Sequence, residues 1–252
     1  LLREAGANLI IAQFWHIPWP NPEAFRVCPW QEDILKGLLG NHLLGLQIRY
    51  NCNNFLDTVD RAIESRVDRE RYEVTHGGKK TAVRPFPISI DFENVSERAR
   101  SPEVAAEMDR LVKSLELKGK LIGMGLDRMD YTKGIPDRLR ALDRFLERYP
   151  DYRNRVVFVQ TGVPSRVHVP AYRRINDEID SLIEELNWKY ESDHWKPIVD
   201  LRGALSPLTA MALRRLADFA IVSALHDGMN LVAKEFVASC VDEDKSLILS
   251  PF

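Results

Sequence analysis

The stretch "KLIGMGLDRMDYTKGIPDRLRALDRF", Lys120 to Phe145, decides how this chain is organised. "KLIGMGL" is an apolar run of strand character, and Pro136 suits the first turn of the helix "IPDRLRALDRFLERYP" that follows. The intervening loop is expected to hold Arg128 and Lys133 at the C-terminal mouth of the strand. Two cations there suit a diphosphate, Arg as a planar fork of donors and Lys as a mobile point charge. A solvated basic loop fits the same residues, so the surrounding chain must decide. Gly123 and Gly125 form a G-x-G, which raises a nicotinamide-dinucleotide reading. That fingerprint needs a glycine where Arg128 stands, so the match is weak.

Strand and helix alternate on both sides. Downstream come the strand "RVVFVQTGV", the long helix "PAYRRINDEIDSLIEELNWKYE", the strand "PIVDLRG", the helix "SPLTAMALRRLA", the strand "DFAIVSA", the helix "LVAKEFVASCV" and the strand "SLILS". Upstream, "ANLIIAQFWH" reads as a buried strand closed by the proline-rich "IPWPNPEAF", followed by the helix "WQEDILKGLLG", the strand "HLLGLQI" and the helix "NCNNFLDTVDRAIES". "RYEVTHGGKKTAVRPFPISID" breaks the pattern as a hairpin around "HGGK". Residues 93 to 118 are charge-rich and helical in pattern. The domain join is placed there, giving one domain over residues 1–117 and a second over 118–252. Such alternation implies parallel sheets in two facing α/β halves. The first half is expected to lack its beginning and the second its end, as in a fragment of a longer protein.

The chain has 252 residues, 45% of them hydrophobic, enough for two cores. Thirty-five Lys and Arg against thirty-seven Asp and Glu leave a net charge of -2, which argues against nucleic acid or an acidic membrane as partner. The apolar stretch Ala7 to Trp15 is too short to span a bilayer. Three widely spaced cysteines, Cys28, Cys52 and Cys240, suggest neither a disulfide framework nor a thiolate metal site and fit a cytoplasmic location. The six histidines show no metal-ligand spacing, so a metal-independent site without cofactor is expected.

"DGMNLVAKE", Asp227 to Glu235, is a second candidate anion site. Asn230 is a good N-cap, which would leave the amides of Leu231, Val232 and Ala233 pointing out of the helix start toward a phosphate. Gly228 allows close approach of a ligand, Asp227 could accept sugar hydroxyls, and Glu235 could accept the two hydroxyls of a ribose; an ordinary surface helix is the plain alternative. His16, just past a strand and between Trp15 and Trp19, is placed for ligand contact, and Arg166 follows another strand end from which it could clasp a phosphate. "HGGKKT" is not a P-loop, because Lys80 stands where a magnesium-binding hydroxyl is needed.

Six segments, "HIPWPNPEAF", "LLGLQ", "RPFPISID", "GLDRMDYTKGIPDRLRAL", "PSRVHVPAY" and "HDGMNLVAKEFVA", occur in that order. Together they resemble the trehalose-6-phosphate synthase family of retaining, nucleotide-sugar-dependent glycosyltransferases. The resemblance implies an α/β fold of the GT-B type, two Rossmann-like domains facing across a cleft with the N-terminal one incomplete. It implies glucose transfer from UDP-glucose to glucose 6-phosphate without a metal, the leaving phosphate itself taking the acceptor proton. By the same resemblance Arg128 and Lys133 would neutralise the leaving diphosphate, Arg166 would hold the acceptor phosphate, and His16 and Asp227 would contact the donor sugar. Gly228, Met229 and Asn230 would belong to the substrate-binding loop, the backbone of Leu231, Val232, Ala233 and Lys234 and the Glu235 side chain would take the phosphates and ribose, and Leu205 would line the uridine pocket. Leu205 is smaller than the aromatic residue of some members, and His226 stands where an arginine is frequent. ADP- or GDP-glucose, another acceptor such as glycerol 3-phosphate, a non-catalytic binding role and a homo-oligomer therefore stay open.

Overall fold

Alternation of apolar strand and amphipathic helix builds two separate five-stranded sheets in the computed structural model, which describes residues 9–166, 168–203 and 205–251. Contacts divide the chain into Leu1–Ile88 and Ser89–Phe252. Among the described residues no helix is long and apolar enough to cross a membrane.

The first unit contains β1 (Ala12–Phe14), α1 (Pro22–Phe25), α2 (Gln31–Leu38), β2 (Leu43–Leu46), α3 (Arg49–Ala62), β3 (Arg66–Asp68), β4 (Glu73–His76) and β5 (Lys79–Pro85). Its sheet runs β1-β2-β5-β4-β3, with β1, β2 and β5 parallel and β3 to β5 antiparallel. The expected hairpin is present: His76 faces Lys79 across Gly77 and Gly78, whose φ of 53° and 73° provide the left-handed two-residue turn that matches strand twist. Trp19, Leu35, Leu44, Phe55, Val59 and Val83 form the core, with the Trp19 indole donating to Thr58 at 3.0 Å.

The N-terminal strand departs from expectation. β1 spans three residues, all exposed, at the sheet edge, and Ile10 before it is 88% exposed; Ala7 and Asn8 lie outside the described residues. A continuous apolar run signals strand character, but it does not tell an edge from a centre.

The second unit opens with α4 (Phe92–Ala99) and α5 (Pro102–Ser114). It continues through β6 (Leu121–Met129), a 3-10 turn Tyr131–Lys133, α6 (Ile135–Arg148), a 3-10 turn Pro150–Tyr152, β7 (Val156–Pro164) and α7 (Pro170–Tyr190). β8 (Ile198–Arg202), α8 (Pro207–Leu216), β9 (Phe219–Val222), α9 (Leu231–Ser239) and β10 (Ser246–Leu249) complete it. The sheet is wholly parallel, in the order β10-β9-β6-β7-β8. The chain enters at the centre, steps outward to β8, then returns to the other side of β6. That is the doubly wound order, and its reversal between β6 and β9 is where open α/β sheets bind ligands.

The units divide at Ile88 and Ser89, not between residues 117 and 118. α4 and α5 belong to the second unit: Ala99, Val104 and Leu111 join its core, Ser96 Oγ donates to Ala238 O at 2.7 Å, and Thr209 Oγ1 donates to Glu107 at 2.7 Å. Only two residues of α5, Val104 and Leu111, are buried, so its many charges mask a narrow apolar stripe in the sequence.

The G-x-G of β6 is a packing feature. A methyl group on Gly123 would collide with the Phe219 and Phe158 rings, and one on Gly125 would stand 2.7 Å from the Arg138 guanidinium carbon. Arg138, on α6, is fully buried beneath the strand ends. It donates to Asp127 on β6 at 2.9 Å, to Ile221 O on β9 at 2.7 Å and to Gln160 on β7 at 3.0 Å. Burial pushes the Asp127 carboxyl above its usual range, with Arg138 opposing. Gly125→Ala should therefore destabilise the protein by about 1–3 kcal/mol through overpacking, read as a lowered urea midpoint with unchanged slope. An unchanged midpoint would show that Arg138 moves aside freely.

Candidate functional site

At the switch point two loops meet, one leaving β6 and one leaving β9. β6 runs through Arg128, so this residue stands on the strand rather than in the loop expected from the sequence, and its side chain is 63% exposed. Lys133 ends the 3-10 turn, and Gly134 follows at φ 57°. Glycine is required there twice over, by the left-handed backbone and because a side-chain carbon would fall against Ser223 O. The two loops are latched by Leu225 N donating to Thr132 O at 2.7 Å and by Ser223 Oγ donating to Lys133 O and Gly134 O at 2.9 and 3.0 Å.

Across this latch Lys133 Nζ donates to Asp227 Oδ2 at 2.7 Å, joining residues 94 apart in sequence. Asp227 also accepts from Asn230 Nδ2 and Gly228 N, each at 3.0 Å. Burial alone would raise the Asp227 carboxyl, but the Lys133 ammonium and these two donors outweigh it and hold it below the usual carboxylate range. The cation and the carboxylate that the sequence assigned to different substrate groups are thus each other's partner in this structure.

Asn230 caps α9 as expected, its Oδ1 accepting from Ala233 N at 2.8 Å. That bond takes up the Ala233 amide, leaving Leu231 and Val232 as the helix-start amides that point outward; the expectation of three open amides is corrected to two. Glu235 is ion-paired with Arg214 of α8, whose side chain is nearly buried. Sequence reading missed Arg214, because "LRRLA" at a helix end looks like ordinary dipole-complementing charge. Lys234 Nζ donates to Ser89 Oγ at 3.3 Å. Gly228 and Met229 are half-buried in the loop, and Leu205, between β8 and α8, packs partly buried against the core.

Arg166 lies past the end of β7 in a left-handed backbone conformation, φ 46°. Its guanidinium donates to the Tyr172 hydroxyl at 3.3 Å and sits over that ring at 5.7 Å. Val167 beside it lies outside the described residues.

His16 belongs to the first unit, where it is exposed and its Nδ1 meets Gln47 Nε2 at 2.8 Å. The backbone N–H of Ile88 donates to Gln47 Oε1 at 3.1 Å, which fixes the amide orientation. Gln47 therefore donates to His16 Nδ1, and the neutral ring carries its proton on Nε2. Gln47 is fully buried and was not singled out in the sequence, where a glutamine ending an apolar strand carries no signal. Among the described residues there is no cluster of three metal-ligating side chains.

The depressed Asp227 carboxyl has a pH consequence. A folded pKa below the unfolded one stabilises the protein at pH above the unfolded value, and this is lost as pH falls through the folded value. Wild type should melt above Asp227→Asn at pH 7, with the gap persisting down to about pH 4 and closing below it. A gap independent of pH would show that the Lys133 bond is not ionic.

The whole chain, residues 1–252, matches the family model described as glycosyltransferase family 20. A bifunctional trehalose-6-phosphate synthase/phosphatase of Thermoproteus tenax is 40% identical over 99% of this chain and 34% of its own length. An alpha,alpha-trehalose-phosphate synthase (UDP-forming) from Burkholderia xenovorans, solved in complex with glucose-6-phosphate, superposes with a TM-score of 0.92 at 29% identity, over 100% of this chain and 55% of that one. A protein from E. coli solved with UDP-2-fluoro glucose bound gives 0.90 at 32% identity, over 100% and 55%. The chain thus spans about a third of the Thermoproteus relative and just over half of the two solved chains. With a family match along its full extent and a doubly wound parallel sheet carrying cations at the switch point, this chain belongs to glycosyltransferase family 20.

Proposed function

We propose that the protein transfers glucose from UDP-glucose to glucose 6-phosphate with retention, forming trehalose 6-phosphate. The observation that carries this reading is the Lys133–Asp227 bond across the switch point, which sets a cation, a carboxylate and the start of α9 on one surface of a chain matching this family throughout. The relatives named above act on, or are solved with, the same classes of compound, which supports the substrates.

In the reaction the acceptor hydroxyl bonds to the anomeric carbon on the face from which UDP departs. The carbon–oxygen bond to the diphosphate breaks with its electron pair, and the diphosphate takes the acceptor proton. Negative charge thus grows on the diphosphate, and preorganised donors aimed at that charge lower the barrier. Arg128, exposed at the end of β6, and Lys133 supply them, while Asp227 turns one oxygen to a donor-sugar hydroxyl. Leu231 and Val232 amides meet phosphate oxygens, Gly228 and Met229 shape the approach, and Glu235, oriented by Arg214, takes ribose hydroxyls. Leu205 lines the base pocket. His16, with its proton on Nε2, donates to a sugar hydroxyl, and Arg166 holds the acceptor phosphate. The three cysteines are free thiols, which supports a cytoplasmic setting.

The full-length protein incubated with UDP-glucose and glucose 6-phosphate should release UDP, and no release at any acceptor concentration would refute the assignment; release with another phosphorylated acceptor alone would redirect it. Arg128→Ala should lower kcat about 100-fold, and a change within twofold would remove Arg128 from the diphosphate. Glu235→Gln should weaken UDP binding severalfold in calorimetry, as loss of a charged acceptor does, and equal affinity would refute the ribose contact.

A further inference from the structure

We propose that Asp130 is a positioning residue that couples the cation for the acceptor phosphate to the cations for the donor diphosphate, through Tyr172. The inference rests on the functional reading above for the roles of Arg128, Lys133 and Arg166, and adds how they are held together. Asp130 lies between β6 and the 3-10 turn and is 7% exposed. One carboxylate oxygen, Oδ1, accepts from Thr132 N and Thr132 Oγ1, both at 3.0 Å, and the backbone O accepts from Lys133 N at 3.0 Å. Asp130 thereby caps the turn that presents Lys133. The other oxygen, Oδ2, stands 3.9 Å from Arg128 Nη2 and accepts from the Tyr172 hydroxyl at 3.3 Å.

Tyr172, itself 6% exposed, is the intermediate. Its hydroxyl has one proton, which goes to Asp130, and a lone pair that accepts from Arg166 Nη1 at 3.3 Å. The chain of bonds therefore has a direction, from Arg166 through Tyr172 to Asp130. The Tyr131 ring stacks edge-on against Tyr172 at 5.5 Å and holds it in place. Arg166 keeps a left-handed backbone that non-glycine residues seldom adopt, consistent with a position fixed by its partners rather than by propensity.

The physical reason for such a hub is charge. Arg128, Lys133 and Arg166 must share one end of a sheet to meet two phosphorylated substrates, and a buried carboxylate among them offsets their repulsion where water does so poorly. Hydrogen bonds in a chain also polarise one another, so engaging Arg166 with a phosphate is felt at Asp130 and then at Arg128.

The test uses the full-length protein, with kinetics on glucose 6-phosphate and on glucose as acceptor. Tyr172→Phe keeps the ring and removes the relay. It should raise the KM for glucose 6-phosphate about tenfold, leave the rate with glucose unchanged and leave UDP affinity within twofold. Asp130→Asn should raise the glucose 6-phosphate KM and also weaken UDP binding. In that background Tyr172→Phe should add less than twofold, because the relay has already lost its charged end. Equal losses with both acceptors would mark a merely structural tyrosine and overturn the proposal, as would a glucose 6-phosphate KM within twofold of wild type or additive effects in the double variant. A wild-type protein that releases no UDP would overturn the functional reading and this proposal with it, whereas turnover with unaffected variants overturns this proposal alone.

Discussion

The buried guanidinium of Arg138 is the constraint on which the second unit depends. A buried cation needs acceptors, and here both terminal nitrogens of the guanidinium find them, on β6, β7 and β9 at once. Three adjacent strands, β9, β6 and β7, are thus tied together by one side chain from α6. Gly125 is glycine because that side chain crosses it, and the loops above inherit fixed starting points.

On that base the site is assembled by pairing. Lys133 and Asp227 neutralise each other across the latched loops, Asn230 serves both Asp227 and the helix start, and Arg214 orients Glu235. Each charged group has a partner that a phosphate or a sugar hydroxyl could displace or join. Arg128 is far more exposed than Lys133, so the two bring different mobility to one anion.

Much of this was legible in the sequence. Helices α2, α6, α7, α8 and α9 fall where periodicity and capping residues put them, as does the Gly77–Gly78 hairpin, because these depend on local backbone preference and an apolar stripe. Elements whose identity depends on distant partners are not legible in the same way. The sequence pattern puts Arg128 in a loop because charges end an apolar run, whereas β7 pairing carries β6 on through Met129. The sequence pattern puts α5 at the domain join because its buried stripe is narrow, and β1 reads as buried because its hydrophobicity does not reveal its neighbours.

The sequence alone determined the α/β alternation, the family motifs and which residue types stand at strand ends, since all of these are encoded within a few turns of chain. Only the tertiary structure decided that Lys133 meets Asp227, that Gln47 sets the His16 tautomer, that the G-x-G makes room for phenylalanine rings and an arginine, and that Arg214 backs Glu235. Those are contacts between residues far apart in sequence, set by sheet order and by which charges and donors packing brings together. No local pattern carries that information.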